Sequence, residues 1–157
     1  MKADVSISQA SGNYKIVVIG RANFNCSPSL RDLAKNLNLD SLKGIQIDFT
    51  NCESMDSTFM GVLAMLSLKA REAKVTIDIL NISDFNKNLL DGLGLSDMFT
   101  YSTGESTSIE ANEKAAASEA DRNMTVLEAH ETLMEVNENN VNEFKNVVDF
   151  LKKDLNK

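Results

Sequence analysis

Hydrophobic and polar positions change their period several times along this chain, and each change marks an element. Val5-Ser6-Ile7-Ser8 alternates at period two, and the β-branched run from Tyr14 to Ile19 follows the turn signal Ser11-Gly12-Asn13 and ends at Gly20. Two such runs about a glycine turn predict an opening β-hairpin. After a loop at Asn23-Phe24-Asn25-Cys26, Ser27 followed by Pro28 fits an N-cap with proline at the first helical position, and Leu30, Leu33, Ala34 and Leu37 follow at helical spacing. A strand from Ile45 to Phe49 then leads through Met55-Asp56-Ser57-Thr58 into a helix from about Thr58 to Ala73. That helix is apolar on most of its circumference until Lys69 and Arg71, as expected of one enclosed between a sheet and other elements. Val75 to Leu80 reads as a strand, and Ser83 caps a third helix carrying Phe85, Leu89 and Leu93, which Gly92 and Gly94 terminate. Met98-Phe99-Thr100-Tyr101 predicts a last short strand.

Strands and helices in this order predict an α/β fold, a mixed β-sheet with helices mainly on one face. Right-handed crossovers between parallel strands place the Asp56-Ser57 turn at the carboxyl edge of a strand, where α/β proteins usually keep their functional groups.

The pattern changes character after residue 101. From Ser102 to about Arg122 the chain is rich in Ser, Thr, Glu and Ala with almost nothing to bury, and it reads as a polar linker with helical character around Glu113 to Ala120. Residues 123–157 then carry Leu127, His130, Met134, Asn137, Val141, Phe144, Val148, Leu151 and Leu155 at alternating steps of three and four, a heptad seam. One continuous amphipathic helix of this length spans roughly 40 Å at 1.5 Å per residue. It pairs with a copy of itself as a coiled coil, docks on a partner, or folds back on the sheet. The division expected is a domain over residues 1–101, a linker over 102–122 and the helix over 123–157.

Charge sharpens this division. The 157 residues carry a net charge of −7, but residues 1–101 hold ten basic against eleven acidic side chains, and residues 102–157 hold six against twelve. An acidic chain with no basic stripe repels a phosphate backbone, which argues against nucleic-acid binding. No run approaches the roughly 18 apolar residues of a spanning helix, and the N-terminus lacks a signal-peptide core, so a cytoplasmic protein without membrane insertion is expected.

Chemistry-bearing residues are few. Cys26 and Cys52 lie in no CxxC pair and read as buried or half-buried free thiols; His130 is the only histidine, so a transition-metal site has almost no support. Asp48, Glu53 and Asp56 have no neighbouring histidine, lysine or arginine in sequence to orient a base, which argues against an enzyme. His130 on the seam reads as a partly exposed spectator, and Met55, Met60 and Met65 as core filler. No Gly-rich phosphate loop or dinucleotide fingerprint occurs, and no cofactor is required. The most informative stretch is Met55-Asp56-Ser57-Thr58. A hydroxyl there caps a helix at the exposed end of a buried strand, where a phosphate would change what the surface binds without disturbing the core.

These residues resemble the STAS domain, the family named for sulphate transporters and anti-sigma-factor antagonists. The resemblance covers about residues 3 to 101 and is centred on Gly44-Ile45-Gln46-Ile47-Asp48-Phe49, Met55-Asp56-Ser57-Thr58 and Gly61-Val62-Leu63, with Leu90-Asp91-Gly92-Leu93-Gly94-Leu95 downstream. The chain departs from the family pattern at Phe59 and Met60, where glycine and leucine are usual, and at Gly20-Arg21-Ala22-Asn23, where Gly-Glu-Leu-Asp is common. The resemblance implies an anti-sigma-factor antagonist working by partner switching. Unphosphorylated, it binds an anti-sigma factor that is also a serine kinase; phosphorylation at Ser57, with Thr58 as secondary acceptor, ends the interaction, and a metal-dependent serine phosphatase resets it. The implied contact residues are Asn23, Asp56, Ser57, Thr58, Phe59 and Met60. Two rivals stand beside this reading. One is a STAS accessory subunit of a lipid-transporting ABC system; the other is a non-phosphorylated scaffold that assembles through its C-terminal helix.

Overall fold

The computed structural model describes residues 3–106 and 118–155. The opening hairpin forms as its pattern requires: β1 (Asp4–Ala10) pairs antiparallel with β2 (Asn13–Ala22). Ser11 and Gly12 between them both have positive φ, 52° and 83°, the type I′ pattern whose twist suits a two-residue hairpin loop. The chain then alternates through α1 (Ser27–Asn36), β3 (Gly44–Met55), α2 (Ser57–Glu72), β4 (Ile77–Leu80), α3 (Asp84–Gly92), a 3₁₀ turn at Ser96–Met98 and β5 (Phe99–Ser102). The five strands lie in the order β1-β2-β3-β4-β5, and every pair after the first is parallel. With crossovers of the usual hand, a sheet that advances by one strand at each step puts α1, α2 and α3 on one face.

Burial follows the period-two pattern. Ile16 and Val18 of β2, Ile47 and Phe49 of β3, Ile77 and Ile79 of β4 and Phe99 of β5 are buried beneath Leu30, Val62, Leu63, Leu66 and Leu90 of the helices. The alternate residues facing the other way include Val17, Ile19 and Leu80 together with polar side chains. Asp78 accepts hydrogen bonds from Gln46 Nε2 (3.0 Å), Thr100 Oγ1 (3.0 Å) and Ser102 Oγ (2.6 Å) across three strands. Asp48 lies in mid-strand, because β3 runs on to Met55, and it accepts from the Thr50 amide and hydroxyl at 2.8 and 2.6 Å and from Ser106 Oγ at 2.9 Å.

Local expectations hold at some ends and shift at others. Ser83 accepts from the Asn86 amide as the N-cap of α3, and Gly94, at φ +73°, lies in the turn after that helix. The face of α3 is rotated from the one expected: Asn86 and Leu90 are buried, while Phe85 is 59% exposed. Cys26, rather than Ser27, occupies the cap position of α1 and makes no side-chain cap bond; the Ser27 hydroxyl donates to Asn23 O at 2.7 Å inside the first turn.

The C-terminal region is not the continuous 40 Å helix that the heptad seam suggests. It is α4 (Glu119–Val136) followed by α5 (Asn139–Leu155), broken at Asn137, whose backbone is extended. Asn137 Oδ1 accepts the Asn139 amide at 2.9 Å, so its side chain takes over a backbone role and starts the second helix. The contacts Leu133 with Asn140, His130 with Phe144 and Glu131 with Lys152 show that α5 runs back along α4 as an antiparallel hairpin. The seam residues Leu127, His130, Phe144 and Val148 are buried within this hairpin and against the domain. Ser118, placed in the linker by its composition, is the N-cap of α4 and accepts the Asp121 amide at 3.1 Å. The helical character expected around Glu113 to Ala120 falls partly on α4 and otherwise outside the described residues. Among the described residues no helix is long and apolar enough to cross a membrane.

Candidate functional site

β3 ends at Met55 and α2 begins at Ser57, so Asp56 is a one-residue corner between a buried strand and a helix. Its amide donates to Ala22 O at 2.9 Å, and its carboxylate works in two directions: Oδ1 accepts the Phe59 amide at 2.8 Å and Oδ2 accepts the Phe24 amide at 2.9 Å. The N-cap of α2 is therefore this carboxylate and not the hydroxyl of Ser57, which is the first helical residue. Burial pushes the Asp56 carboxyl above its ordinary range, and the amides of Phe59 and Phe24 draw it partway back. The same two bonds tie the β2–α1 loop, with Asn23 and Phe24, to the start of α2.

Ser57 is half-buried because α4 lies beside it. Its hydroxyl is 2.8 Å from Nε2 of His130, and Nδ1 of that ring is 2.7 Å from Val126 O. A carbonyl only accepts, so Nδ1 carries a proton and donates to Val126 O, while Nε2 and the Ser57 hydroxyl share the second bond. His130 is buried, with Phe144 packed edge-on at 4.8 Å between centroids. It is a buried partner of the site and not the partly exposed spectator its sequence position suggests.

The remaining candidates separate by burial. Phe59 is wholly enclosed in the core, and Thr58 is 5% exposed; neither is presented to a partner, which corrects their placement on the contact surface and removes the solvent-facing hydroxyl expected of Thr58. Met60 is also buried, at the floor of a groove of about 310 Å³ lined by Ser57, Leu89, Leu93, Glu143 and Phe144. The departure from the family pattern at Phe59 and Met60 thus has a physical reason: Phe59 fills the core, and Met60 lines a groove together with Phe144 of α5. Asn23 stands half-exposed and Phe24 is 44% exposed at the rim.

Three further features seat α4, and sequence reasoning missed them. Gly61 lies so close to α4 that a Cβ there would strike the Ala129 carbonyl and come within 2.7 Å of the Ala129 Cβ. Glu128 receives Arg31 through Nη2 (2.8 Å) and Nε (3.2 Å), and Lys35 at 2.9 Å. Burial alone would raise the Glu128 carboxyl, but these hydrogen bonds outweigh it and hold it below the ordinary range; Glu128 in turn raises Arg31. Asn140 Nδ2 donates to Leu93 O at 3.0 Å and to Leu133 O at 2.8 Å, pinning the start of α5. A glycine in mid-helix, which costs about 1 kcal/mol against alanine, was the sequence signal for a close helix approach.

Chemically, the arrangement offers a hydroxyl at a helix N-terminus that is hydrogen-bonded to α4. Anything that takes that oxygen breaks a bond between the domain and its hairpin. Among the described residues no group of three or more His, Cys, Asp or Glu side chains could hold a metal ion.

No family model matches the sequence, and no curated protein matches it in sequence. Solved structures do. The anti-sigma factor antagonist SpoIIAA in its unphosphorylated form is 12% identical with a TM-score of 0.51, the match covering 66% of this chain and 89% of that one. SpoIIAA from Bacillus in the phosphorylated form is 15% identical with a TM-score of 0.52, covering 63% and 91%. A proposed anti-sigma factor antagonist from Thermotoga maritima is 10% identical with a TM-score of 0.53, covering 64% and 86%. Strand order, helix placement and these likenesses agree, and the chain has the STAS fold.

Proposed function

We propose that this is a cytoplasmic partner-switching protein: an anti-sigma-factor antagonist that acts by protein contact, has no enzymatic activity, and is controlled by phosphorylation of Ser57. The observation that carries this reading is the place of Ser57, the first residue of α2 at the carboxyl end of the central strand β3, beside the half-exposed β2–α1 loop. SpoIIAA, which shares this fold, is known in both phosphorylated and unphosphorylated forms. A phosphoserine adds about −1.5 to −2 charges and three acceptor oxygens. The free amides and dipole at the N-terminus of α2 accommodate that charge, so the sheet survives it. A partner surface matched to a neutral hydroxyl would instead meet a dianion next to Asp56. Binding is lost by repulsion and desolvation.

The partner expected is an anti-sigma factor with serine kinase activity, with a serine phosphatase to reverse the step. Incubation with its cognate anti-sigma serine kinase and ATP should add one phosphate at Ser57. Ser57→Asp should weaken the complex at least tenfold, and Ser57→Ala should preserve it. A transporter ATPase complex indifferent to Ser57→Asp would favour the accessory-subunit reading instead. One observation favours the scaffold reading: α5 leaves Phe150 69% exposed and Val147 40% exposed, apolar side chains that an assembly would cover. That reading predicts loss of assembly on Phe150→Asp with no response to changes at Ser57.

A further inference from the structure

The seats of the α4–α5 hairpin converge on one place. Ser57 is hydrogen-bonded to His130, Gly61 admits Ala129, Arg31 and Lys35 clamp Glu128, and Phe144 lines the groove with Met60. Each joins the hairpin to the start of α2 or to the helix beside it, on the face where Ser57 is displayed. The polar seats are few and specific. Glu128 is the only side chain of α4 with hydrogen bonds to α1 among those described, and Ser57 is the only residue of α2 bonded to the His130 ring. The polar seats are the carboxylate bridged to α1, the hydroxyl–imidazole contact and the Asn140 bond to Leu93 O, with Ala129, Leu133 and Phe144 packed into the core beside them. Stability is not uniform across a fold, and an element docked through one face can open without the sheet.

We propose that the α4–α5 hairpin is an intramolecular lid, seated on the Ser57 face and competing for it with the protein partner, so that only the lid-open form presents Ser57 and Met60. This rests on Ser57 being the partner-facing residue. Binding is then weakened in proportion to the closed fraction, because a partner sees only the competent population. The latch is where the lid senses the serine. A phosphate on Ser57 puts three oxygens and about −1.5 to −2 charges where the hydroxyl lies 2.8 Å from Nε2 of His130, more bulk than that contact admits. Glu143, which lines the same groove, adds a like charge.

Hydrogen–deuterium exchange on the full chain, read by mass spectrometry, tests the lid without any partner. In the wild type, amides of α4, α5 and the first turn of α2 should exchange as a group at least tenfold faster than those of β2, β3 and β4. Glu128→Lys should accelerate that group about another tenfold, equivalent to about 1.4 kcal/mol, and leave the strands unchanged. The triple change Arg31→Glu, Lys35→Glu and Glu128→Lys should restore the slower rate. Should Glu128→Lys fail to fold, Glu128→Gln carries the same expectation at a smaller acceleration. If the hairpin exchanges at the rate of the strands, or if both accelerate together, the hairpin belongs to the cooperative core and the lid is overturned. A chain whose Ser57 is never phosphorylated leaves this result untouched, and a lid that never opens leaves the phosphorylation of Ser57 to be judged separately.

Discussion

The hydroxyl of Ser57 lies 2.8 Å from Nε2 of His130, a residue 73 positions further along the chain. This one bond joins the first turn of α2 to the C-terminal hairpin, and it makes the state of the serine a property that both parts of the molecule feel. Ser57→Ala leaves a buried imidazole nitrogen without its hydrogen-bond partner, at an expected cost of about 1–3 kcal/mol. His130→Ala removes the ring packed on Phe144 as well and should cost about 2–5 kcal/mol. Because the two changes share one interaction, the double variant should lose at least about 0.5 kcal/mol less than the sum. Urea unfolding midpoints measure all three; strict additivity would show that the bond contributes nothing in solution.

Asp56 separates charge from geometry. Asparagine keeps an oxygen for the Phe59 amide, but its NH₂ group would then face the Phe24 amide, donor against donor. Asp56→Asn should therefore keep the α2 cap and free the β2–α1 loop, with faster amide exchange at Asn23 to Asn25 and little change in α2. Asp56→Ala loses both bonds and should cost about 1–2 kcal/mol more than that. Equal behaviour of the two variants would mean that the loop tie is unimportant.

Gly61 sets two ordinary effects against each other. An alanine in mid-helix normally gains about 1 kcal/mol over glycine. Here its Cβ would fall on the carbonyl of Ala129, so α4 has to withdraw and take His130 from Ser57. Overpacking of this kind costs about 1–3 kcal/mol and should win. The expected signature of Gly61→Ala is a lower urea midpoint with faster exchange in α4; a more stable protein would show that α4 sits loosely.

How much of this was legible in sequence follows from the range of each interaction. The Ser11-Gly12 turn, the Ser83 cap and the Gly94 stop depend on a few adjacent residues, and their chemistry was readable in place. The sheet and the position of Ser57 followed from the alternation of buried runs. The break at Asn137 was hidden, because an antiparallel helical hairpin buries apolar residues at the same steps of three and four as one long helix. Only the polar run Asn137-Glu138-Asn139-Asn140 marked it, and there the Asn137 side chain accepts the amide of Asn139, the first residue of α5. The cap at Asp56 rather than Ser57 was a one-residue ambiguity between two good capping types. The pairings of Ser57 with His130 and of Arg31 with Glu128 lie 73 and 97 residues apart, and no local pattern encodes them.

The two thiols should differ from a free cysteine chiefly through burial. Cys52 is 7% exposed, and burial pushes its thiol up to about 12, so almost none is thiolate at mildly alkaline pH. Cys26, half-buried, is raised for the same leading reason. An alkylating reagent on the native protein should modify Cys26 slowly and leave Cys52 intact until urea unfolds the chain. Rapid labelling of Cys52 in the native state would mean that the end of β3 opens locally.

The bridge from Arg31 and Lys35 to Glu128 makes the hairpin sensitive to acid, with a definite sign. Burial favours the protonated carboxyl, but the hydrogen bonds from Arg31 and then Lys35 outweigh it and leave the folded-state value below the ordinary 4.5. A depressed value in the folded protein means that the unfolded chain binds the proton more readily. The contribution of Glu128 is then complete above about pH 4.5 and disappears as the pH falls through the lower folded-state value. Glu128→Gln, which cannot ionise, isolates it from the other carboxylates. The stability gap between wild type and Glu128→Gln should be widest near neutral pH, begin to narrow below about 4.5, and be smallest in the acid range where Glu128 is protonated in both states. Exchange of the α4 and α5 amides should rise over the same interval in the wild type and stay flatter in the variant. A gap that does not change with pH would place Glu128 in solvent, away from both cations.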